Sequence, residues 1–513
     1  MHTREKGAIL VAVILVAVIF TILGLAVLTL AEQEAILGRI EADKTRAFYL
    51  AEAGLAKLSE TLQKPVILDD IDGTIEGSIE QGDFSVVLDT NDNPCYAIST
   101  GISGMVQKKI RVQVNFLAAP FENAIYAMNS TGGSWALQLR GTGNPVASRG
   151  GEKGGKDIIS GNIVMDGDVY MFEESRVNPA PKPNTYGLRG DVGATGGINV
   201  LGSAVISGAR NPNAEEPDPI DVVAMDYAQN NTHDIAAIFQ RDSTNSTTLP
   251  TSHPLRDVFA KNPDNRSKEC ASTTGDDYFL EPVNVSSSGG DQKSAPTPLH
   301  LGSNRIYYVD GNVWIHNNTS YGFTVDGIAT IVATGDIHIC DNIKYKDSQS
   351  ALGLVALGKY DDSGNLISGG NIYFGDPRYG TMYTIAGLMF SANDFLYNAD
   401  TVTNKPAEPT TGFMVNGSFA AMNKVIVERD WYTLSTGQGN QTQARPARYD
   451  SVNGSWVDSE TGAILTSGQI STLRHYQMIV NYDERVRSHN TQPPGLPRGG
   501  TKIFAGFTNW EEL

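Results

Sequence analysis

The chain has 513 residues, with 57 acidic against 39 basic side chains and a formal net charge of −18. A surface that binds nucleic acid must neutralise phosphates, so this acidic balance argues against nucleic acid as a partner. With 53 glycines and 40% hydrophobic residues, the composition favours many short strands joined by turns over disorder.

The first element is an apolar run that follows a short charged leader. The run from Ala8 to Leu30 carries no charge over its 23 residues. As a helix with a rise of about 1.5 Å per residue, it covers the ~30 Å hydrocarbon core of a bilayer. A removable secretory signal has a shorter apolar region and a cleavage site behind it, whereas this run continues directly into a second helical pattern. The sequence therefore predicts a retained membrane anchor.

Charges on either side of the run indicate its orientation. Arg4 and Lys6 precede it, and Glu32 and Glu34 follow it. The positive-inside rule then places the amino terminus in the cytoplasm. We expect a single-pass protein of the cytoplasmic membrane, in contact with inner-membrane lipid, whose body is exported to the periplasm or the cell surface.

Beyond Leu30 the helical pattern becomes amphipathic. Apolar residues recur at intervals of three and four and form one stripe, which predicts a helix surface for packing. We expect this helix to end near Gln63, because Pro65 opposes its continuation. The residues of the stripe are Phe48, Ala51, Leu55, Leu58 and Leu62.

These features together resemble the amino terminus of PilX-type minor type IV pilins and related pseudopilins. The resemblance rests on the leader ending in Lys6-Gly7, the apolar helix directly after it, and the segment RAFYLAEAGL at residues 46–55. It implies that a prepilin peptidase cuts between Gly7 and Ala8 on the cytoplasmic side. It also implies that the apolar helix is both anchor and polymerisation helix, with other pilin or pseudopilin subunits as partners.

One departure from the family pattern bears on the type of subunit. Major pilins usually begin the mature chain with phenylalanine and carry glutamate at its fifth position, where this chain has Ala8 and Ala12. The absence of that carboxylate points to a minor or terminal subunit, with a place at the filament tip as one option. An ordinary signal anchor with a coincidental Lys-Gly pair is the alternative.

The region that follows the helix predicts a small antiparallel meander. The runs SVVL, CYAIST and IRVQVNF alternate apolar and polar residues, and the turns NDNP and GISG separate them. We expect this meander to cover the apolar stripe of the helix. The acidic turn around Asp89 lacks the ligand spacing of a calcium loop, so it predicts a plain turn.

From about Pro120 onward, short apolar runs return next to glycine, asparagine or aspartate. Examples are DGDVYM, DGNVWI, TGDIHI and GGNIYF. Such runs favour the stacked coils of a parallel β-solenoid, a β-helix-like body, over a β-sandwich or a propeller. Residues 211–300 interrupt the pattern with a partly helical, polar stretch that predicts an excursion or disorder. The end of the chain resembles the closing segment of large exported proteins that join a PilX-like helix to a β-helical domain, and it predicts a cap.

Cysteines and candidate reactive groups give little support for chemistry. Three cysteines allow one internal pair, for which Cys270–Cys340 is favoured against the equal alternative that all are reduced. The polar pairs Asp336 with His338, Asp361 with Asp362, and Asp376 with Arg378 match no nucleophile elbow, phosphate loop or metal motif. We therefore predict a protein that is not an enzyme and that has no cofactor or metal.

Several aromatic residues lie in the predicted solenoid. They could stack on the rings of surface glycans, or form aromatic rows within the coils, which we favour. They are Tyr307, Tyr308, Trp314, Tyr373, Tyr379 and Tyr383.

The predicted fold class is mainly β, with a long amino-terminal helix, a small meander and a parallel β-solenoid body. The predicted function is that of a minor pilin or pseudopilin in a type IV pilus or a filament of type II secretion, whose body serves assembly or surface adhesion. The alternatives are a statically anchored structural protein of the cell surface and a tethered carbohydrate-active enzyme. The predicted segments are a leader (1–7), the helix (8–64), the meander (65–118), the first solenoid part (119–210), an insertion (211–300), the second solenoid part (301–475) and a cap (476–513).

Overall fold

The computed structural model shows two compact units, Met1–Asn115 with Ala505–Leu513, and Phe116–Phe504. The predicted class, a long amino-terminal helix followed by a mostly β body with parallel sheets, is confirmed. The residues that the structure describes are 3–62, 73–80, 82–89, 95–128, 136–140, 156–172, 175–178, 190–214, 227, 232–243, 249–250, 252–255, 258–261, 277–280, 297–315, 322–374, 382–397, 399–400, 405–406, 412–435, 442–450, 452–486, 492–497 and 503–512.

The first unit consists of one long helix and one small sheet. Helix α1 spans Thr3–Leu62, so the apolar run and the amphipathic half form one continuous element. The sheet has the order β1-β2-β3-β4-β38, and its first four strands pair antiparallel. Its strands are β1 (Gly73–Ile79), β2 (Gly82–Asp89), β3 (Cys95–Ser103), β4 (Val106–Ala118) and the carboxy-terminal β38 (Ile503–Glu512).

The last strand of this sheet differs from the expectation for residues 476–513. Instead of a cap on the final coil, β38 pairs beside β4 in the small sheet. The alternation of apolar and polar residues in IFAGFTNW suits a strand. Because β4 and β38 are nearly 400 residues apart, the pairing has no local sequence signal.

The second unit is built on a large sheet with fifteen described strands. These pair parallel with one another throughout. They are β5 (Ile125–Ala127), β7 (Ile158–Ser160), β8 (Ile163–Met165), β10 (Arg176–Asn178), β11 (Val192–Ala194), β13 (Val205–Ile206), β14 (Arg210–Pro212), β15 (Thr232–Asp234), β18 (Thr297–Val309), β20 (Phe323–Ala333), β22 (Ile343–Tyr345), β23 (Ala351–Ala356), β27 (Thr384–Ser391), β31 (Phe413–Ala421) and β37 (Met478–Asn481).

Two further sheets receive the strands that follow those of the large sheet along the chain. The three-stranded sheet contains β6 (Ala136–Arg140), β9 (Asp168–Phe172) and β12 (Ile198–Val200). The seven-stranded sheet contains β16 (Phe259–Lys261), β17 (Asp277–Leu280), β19 (Asn312–Ile315), β21 (Ile337–Ile339), β26 (Ile372–Phe374), β28 (Phe395–Tyr397) and β32 (Val425–Val427). Most passages of the chain thus add strands to two sheets, although β13, β14 and β37 are not followed by a described strand of either further sheet. Buried Ile and Val side chains lie between the sheets.

The order of strands shows that the chain enters the large sheet in its middle. From β5 the passages proceed outward through β8, β11 and β14. The chain then reappears at the opposite end in β15 and β18 and returns through β20, β23, β27 and β31. Strand β31 pairs with both β5 and β37, so the two runs meet there.

The remaining elements lie outside these passages. Residues 430–475, expected as coils, contain a four-stranded antiparallel sheet that pairs in the order β35-β34-β33-β36. These strands are β33 (Asp430–Ser435), β34 (Thr442–Asp450), β35 (Ser455–Asp458) and β36 (Arg474–His475). Short pieces complete the description, namely α2 (Ile235–Asp242), α3 (Ser467–Ile470), β24 (Lys359–Tyr360), β25 (Leu366–Ser368), β29 (Ala399–Asp400), β30 (Lys405–Pro406) and the 3-10 turns Ala119–Glu122 and Glu484–Val486.

Asparagine and aspartate side chains join successive passages at one corner. Asp336 Oδ1 accepts hydrogen bonds from the backbone N and Nδ2 of Asn371, at 2.9 and 3.0 Å. Asn371 Oδ1 in turn accepts from Nδ2 of Asn393, at 2.9 Å. These three side chains, Asp336, Asn371 and Asn393, form a corner ladder in which each residue comes just before one of the short strands β21, β26 and β28.

Candidate functional site

The candidate site is the surface of α1, which divides into an exposed and a packed half. In the first half, the large apolar side chains from Ile9 to Leu30 are between 46% and 68% exposed. Among the described residues, this helix is the one long and apolar enough, by length and composition, to cross a membrane. Apolar surface of this extent is costly in water, so it suits lipid or other apolar helices.

The second half of α1 packs on the small sheet. The residues it buries recur every three or four positions, the spacing that places them on one face. Buried strand residues such as Val86 and Ile110 belong to the same unit. The buried helix residues are Ala47, Leu50, Ala51, Gly54, Leu55 and Leu58.

The residues of the predicted apolar stripe are buried to different degrees. Ala51, Leu55 and Leu58 are buried. Phe48 is half-buried, and its ring meets Trp510 edge-on at 5.8 Å. The helix ends at Leu62, whose side chain lies outside the described residues.

Two glycines allow close approach of helix and sheet. A Cβ at Gly101 would lie 2.0 Å from the carbonyl oxygen of Ala47, and one at Gly54 would lie 2.4 Å from Ser99 Oγ. Ser99 Oγ also donates a hydrogen bond to the carbonyl of Ala51, at 2.7 Å. The backbone of this half of α1 is therefore fixed against β3, and the sequence pattern of large apolar residues did not reveal these small ones.

Charged pairs line the solvent side of the packed half. Lys44 Nζ lies 2.7 Å from Glu41 Oε1, and Lys57 Nζ lies 2.8 Å from Glu60 Oε2. Exposed pairs at this spacing stabilise a helix by only about 0.2–0.5 kcal/mol. They mark a hydrated face rather than a packing face.

The processing dipeptide lies at the beginning of α1. The backbone of Gly7 and Ala8 is helical, and the side chain of Ala8 lies outside the described residues. Ala12 is exposed, and its methyl group offers no carboxylate to a neighbouring amine. Cleavage between Gly7 and Ala8 therefore stays a prediction.

The sequence-derived polar pairs do not form a reaction centre in the described part of the chain. Asp336 is held in the corner ladder, and His338 stacks between Trp314 and Tyr373 with ring centroids at 3.8 and 4.9 Å. Burial lowers the pKa of His338 to about 3. Asp361 accepts hydrogen bonds inside an exposed turn, and Asp376 and Arg378 lie outside the described residues.

The predicted disulfide and the possibility of a metal site concern the cysteine and other metal-ligating side chains. Cys340 is buried beside Phe279 and Trp314, and Cys270 lies outside the described residues, so the Cys270–Cys340 pair stays a prediction. Across the described ranges, no three His, Cys, Asp or Glu side chains are grouped to hold a metal ion.

Most of the candidate sugar-stacking aromatics are not on the surface. Tyr307, Trp314 and Tyr373 are buried, and Tyr308 is half-buried. Tyr383 is 38% exposed, and Tyr379 lies outside the described residues. The rings of four residues on neighbouring strands stack in a row, namely Phe279 on β17, Trp314 on β19, His338 on β21 and Tyr373 on β26.

Sequence comparison supports the reading of the amino terminus. A family model for the PilX amino terminus matches residues 6–56, and the chain has a type IV pilin-like amino terminus, as predicted. A comparison with curated proteins finds no match.

Among solved structures, the competence-associated pilin ComZ from Thermus thermophilus is similar to this chain at 12% identity. The similarity covers 92% of this chain and 97% of that chain, with a TM-score of 0.31. These values are too low to support an inference about fold or function.

Proposed function

We propose that this chain is a minor pilin or pseudopilin of a type IV pilus or of a filament of type II secretion. The observation that carries the proposal is the PilX match at residues 6–56, which falls on the helix with an exposed apolar half and a packed half. A helix with this division can reside in the bilayer through one half while the other half is held by a folded unit.

The anchor accounts for the partners and the location in the proposal. A prepilin peptidase removes residues 1–7, and Ala8 becomes the mature amino terminus. The exposed apolar surface from Ile9 to Leu30 then contacts inner-membrane lipid or the helices of other pilin subunits. Arg4 and Lys6 keep the leader in the cytoplasm, so the body is exported.

Ala12 favours a minor or terminal subunit over a bulk subunit. A carboxylate inside a bilayer is costly unless a partner compensates it. This chain has a methyl group at that position and so does not contribute that pairing to a neighbour. A subunit needed in few copies, such as one at a filament tip, tolerates this loss best.

The body is proposed as an exported β-solenoid used in assembly or surface adhesion. Its parallel strands join successive passages of the chain across two sheets, which suits a rigid projecting module. A statically anchored surface protein is the second candidate. A tethered enzyme is less supported, because Asp336 serves the corner ladder and His338 is buried between aromatic rings.

The mature amino terminus tests the proposal directly. Mass spectrometry of the chain from cells with and without prepilin peptidase should show a start at Ala8 only when the peptidase is present. Gly7→Val should block this cut, while Gly24→Ala, at a helical glycine with no atom within 4 Å of an added Cβ, should leave it unchanged. An intact Met1 in both strains, or a start beyond Leu30, would contradict the pilin proposal.

A further inference from the structure

A cavity of about 750 Å³ opens in the second unit, beside the last strand of the large sheet. Helix α2 forms one side, and the ends of β16, β17 and β18 contribute the others. Asp234, Gln240, Lys261, Tyr278 and Asp310 are among its lining residues. The volume falls within the range typical of small-molecule sites, about 300–1,000 Å³.

The floor of the cavity is aromatic. Phe239 and Tyr278 are both 2% exposed and meet edge-on, with ring centroids 5.7 Å apart. Lys261 Nζ lies 5.4 Å from the centroid of the Tyr278 ring. Tyr308, which is half-buried, stacks on Tyr227 at 6.2 Å. Phe239 and Tyr278 are therefore core residues that shape the floor, and the half-buried Tyr308 ring is the aromatic surface that a ligand can reach.

The rim carries groups of both charges. Asp310 has a side chain that is 64% exposed, and its Oδ1 accepts a hydrogen bond from Thr334 Oγ1 at 2.8 Å. Asp234 is also exposed, and its Oδ1 accepts from the backbone N of Ala237 at 2.9 Å. Lys261 supplies the opposite charge from the facing strand β16.

Tyr308 adds a hydrogen-bond donor to the cavity wall that also carries the two carboxylates. Burial raises the pKa of Tyr308, and the charges of Asp310 and Asp234 raise it further. The phenol therefore keeps its proton at neutral pH. With Gln240 on α2 and Ser243 directly after this helix, the cavity presents hydrogen-bond donors and acceptors.

We propose that this cavity binds a neutral saccharide. An anionic ligand would meet Asp234 and Asp310, and a cationic ligand would meet Lys261, so the mixed rim disfavours a strongly charged ligand of either sign. The hydroxyls of a sugar can donate to the carboxylates and accept from the amide and ammonium groups. Its apolar C–H face suits the half-buried ring of Tyr308.

The inference gives the proposed adhesive role of the body a ligand class and rests on that role for its biological meaning. Binding itself is measured on the purified full chain in detergent, so it does not depend on peptidase processing or filament entry. A start at Ala8 without saccharide binding would overturn this inference alone. Saccharide binding without that start would overturn only the filament proposal.

The probes are neutral hexasaccharides of glucose and of N-acetylglucosamine, measured by titration calorimetry. We expect at least one to bind, and we expect Asp310→Asn and Gln240→Ala each to weaken it by about tenfold or more. Asp362→Asn, an exposed carboxylate in a turn outside the cavity, is the matched control and should bind as the wild type does. Far-UV circular dichroism and thermal melting verify that the variants fold.

Spermidine and an oligogalacturonate serve as charged probes in the same titrations. The inference is supported if both charged probes bind weakly or not at all while a neutral probe still binds in 0.5 M salt. Screening affects charged ligands most, since the Debye length is about 4 Å at that concentration. No binding of either neutral probe at millimolar concentration overturns it. Unchanged affinity in both cavity variants, or preferential binding of a charged probe, also overturns it.

Discussion

His475 lies between two buried carboxylates in the second unit. Its Nδ1 is 3.0 Å from Asp430 Oδ1, and its Nε2 is 3.3 Å from Asp157 Oδ1. Arg429 also contacts Asp157 with both side chains almost fully buried. Breaking a buried charged pair is costly because the remaining charge loses its compensation. This cluster therefore joins both ends of the four-stranded antiparallel sheet, Asp430 in β33 and His475 in β36, to Asp157 directly before β7.

The neighbouring charges in this cluster raise the pKa of His475 and lower that of Asp157. Burial alone would lower the pKa of His475, but Asp157 and Asp430 outweigh it and raise this pKa from 6.5 to about 9. Burial alone would raise the pKa of Asp157, but Arg429 and His475 outweigh it and lower this pKa from 3.8 to about 2. Both residues are thus stabilised in their charged forms.

The pH dependence of stability should reflect both shifts. The stabilisation from His475 is complete below its unfolded pKa of 6.5 and is lost as the pH rises through about 9. The stabilisation from Asp157 is complete above its unfolded pKa of 3.8 and is lost as the pH falls through about 2. The His475 contribution is on the order of 3 kcal/mol, since one pKa unit corresponds to about 1.4 kcal/mol. Urea unfolding of the full chain in detergent at pH 6 to 10 measures the slope.

The control separates this histidine from other titrating groups. His475→Gln should remove most of the loss between about pH 6.5 and 9. Burial also raises the pKa of Glu428 to about 7, and its ionisation should leave a smaller loss at lower pH in the variant. His300→Gln, an exposed histidine, should keep the wild-type slope. An identical slope in His475→Gln and wild type would show that the cluster does not govern this pH range.

At the scale of elements, the corner ladder holds short strands that could not pair stably alone. Strands β21, β26 and β28 have three residues each. Isolated strands of this length are marginal, and their stability comes from stacking on neighbours. Asn371 supports both neighbours at once, because it donates to Asp336 and accepts from Asn393.

Replacing Asn371 should therefore destabilise the seven-stranded sheet. Asn371→Ala removes the acceptor used by Asn393 Nδ2 and by the backbone N of Asp394, in hydrogen bonds that are part-buried. An unsatisfied donor costs about 1–3 kcal/mol when fully buried, so we expect a loss of about 1 kcal/mol. Asn365→Ala, in an exposed turn, should cost about 0.5 kcal/mol or less. Hydrogen exchange should accelerate in β26 and β28 for the first variant only. Equal exchange in both variants would show that the corner contributes no stability.

At the scale of the whole molecule, both ends of the chain belong to the first unit. Lys108 Nζ lies 2.5 Å from Glu512 Oε1, and Arg111 Nη2 lies 2.5 Å from Glu511 Oε2. The second unit, Phe116–Phe504, therefore lies in sequence between β4 and β38 of the first. Completion of the first unit therefore requires residues that follow the whole of the second unit in the sequence.

Deleting residues 505–513 should destabilise the first unit and leave the second intact. The deletion exposes the edge of β4 and removes the Trp510 ring from Phe48. We expect faster hydrogen exchange in Val106–Asn115 and unchanged exchange in β20, β23 and β27. The double variant Glu511→Gln with Glu512→Gln should have a much smaller effect, since exposed ion pairs contribute about 0–1 kcal/mol each. Unchanged exchange in β4 after the deletion would contradict the role of β38.

The sequence by itself determined the features that local patterning encodes. The uncharged run from Ala8 to Leu30 specifies an apolar helix, because nearly all of its side chains are aliphatic or aromatic and disfavour water whatever else the chain does. The three-and-four spacing after Phe48 specifies a packed face, and the Gly-Asn and Gly-Asp corners specify short strands between turns. These signals are carried by neighbouring residues.

Only the tertiary structure decided which distant elements meet. Asp157 and His475 are 318 residues apart, and neither carries a mark of its partner in the sequence. Apolar and polar residues alternate in β38 as they would in a strand of either sheet, so this pattern does not specify β4 as its neighbour. Strand β31 pairs with β5 and with β37 because their edges and registers fit. Short apolar strands are nearly interchangeable in local terms, and the choice among them depends on burial and hydrogen bonding summed over the whole fold.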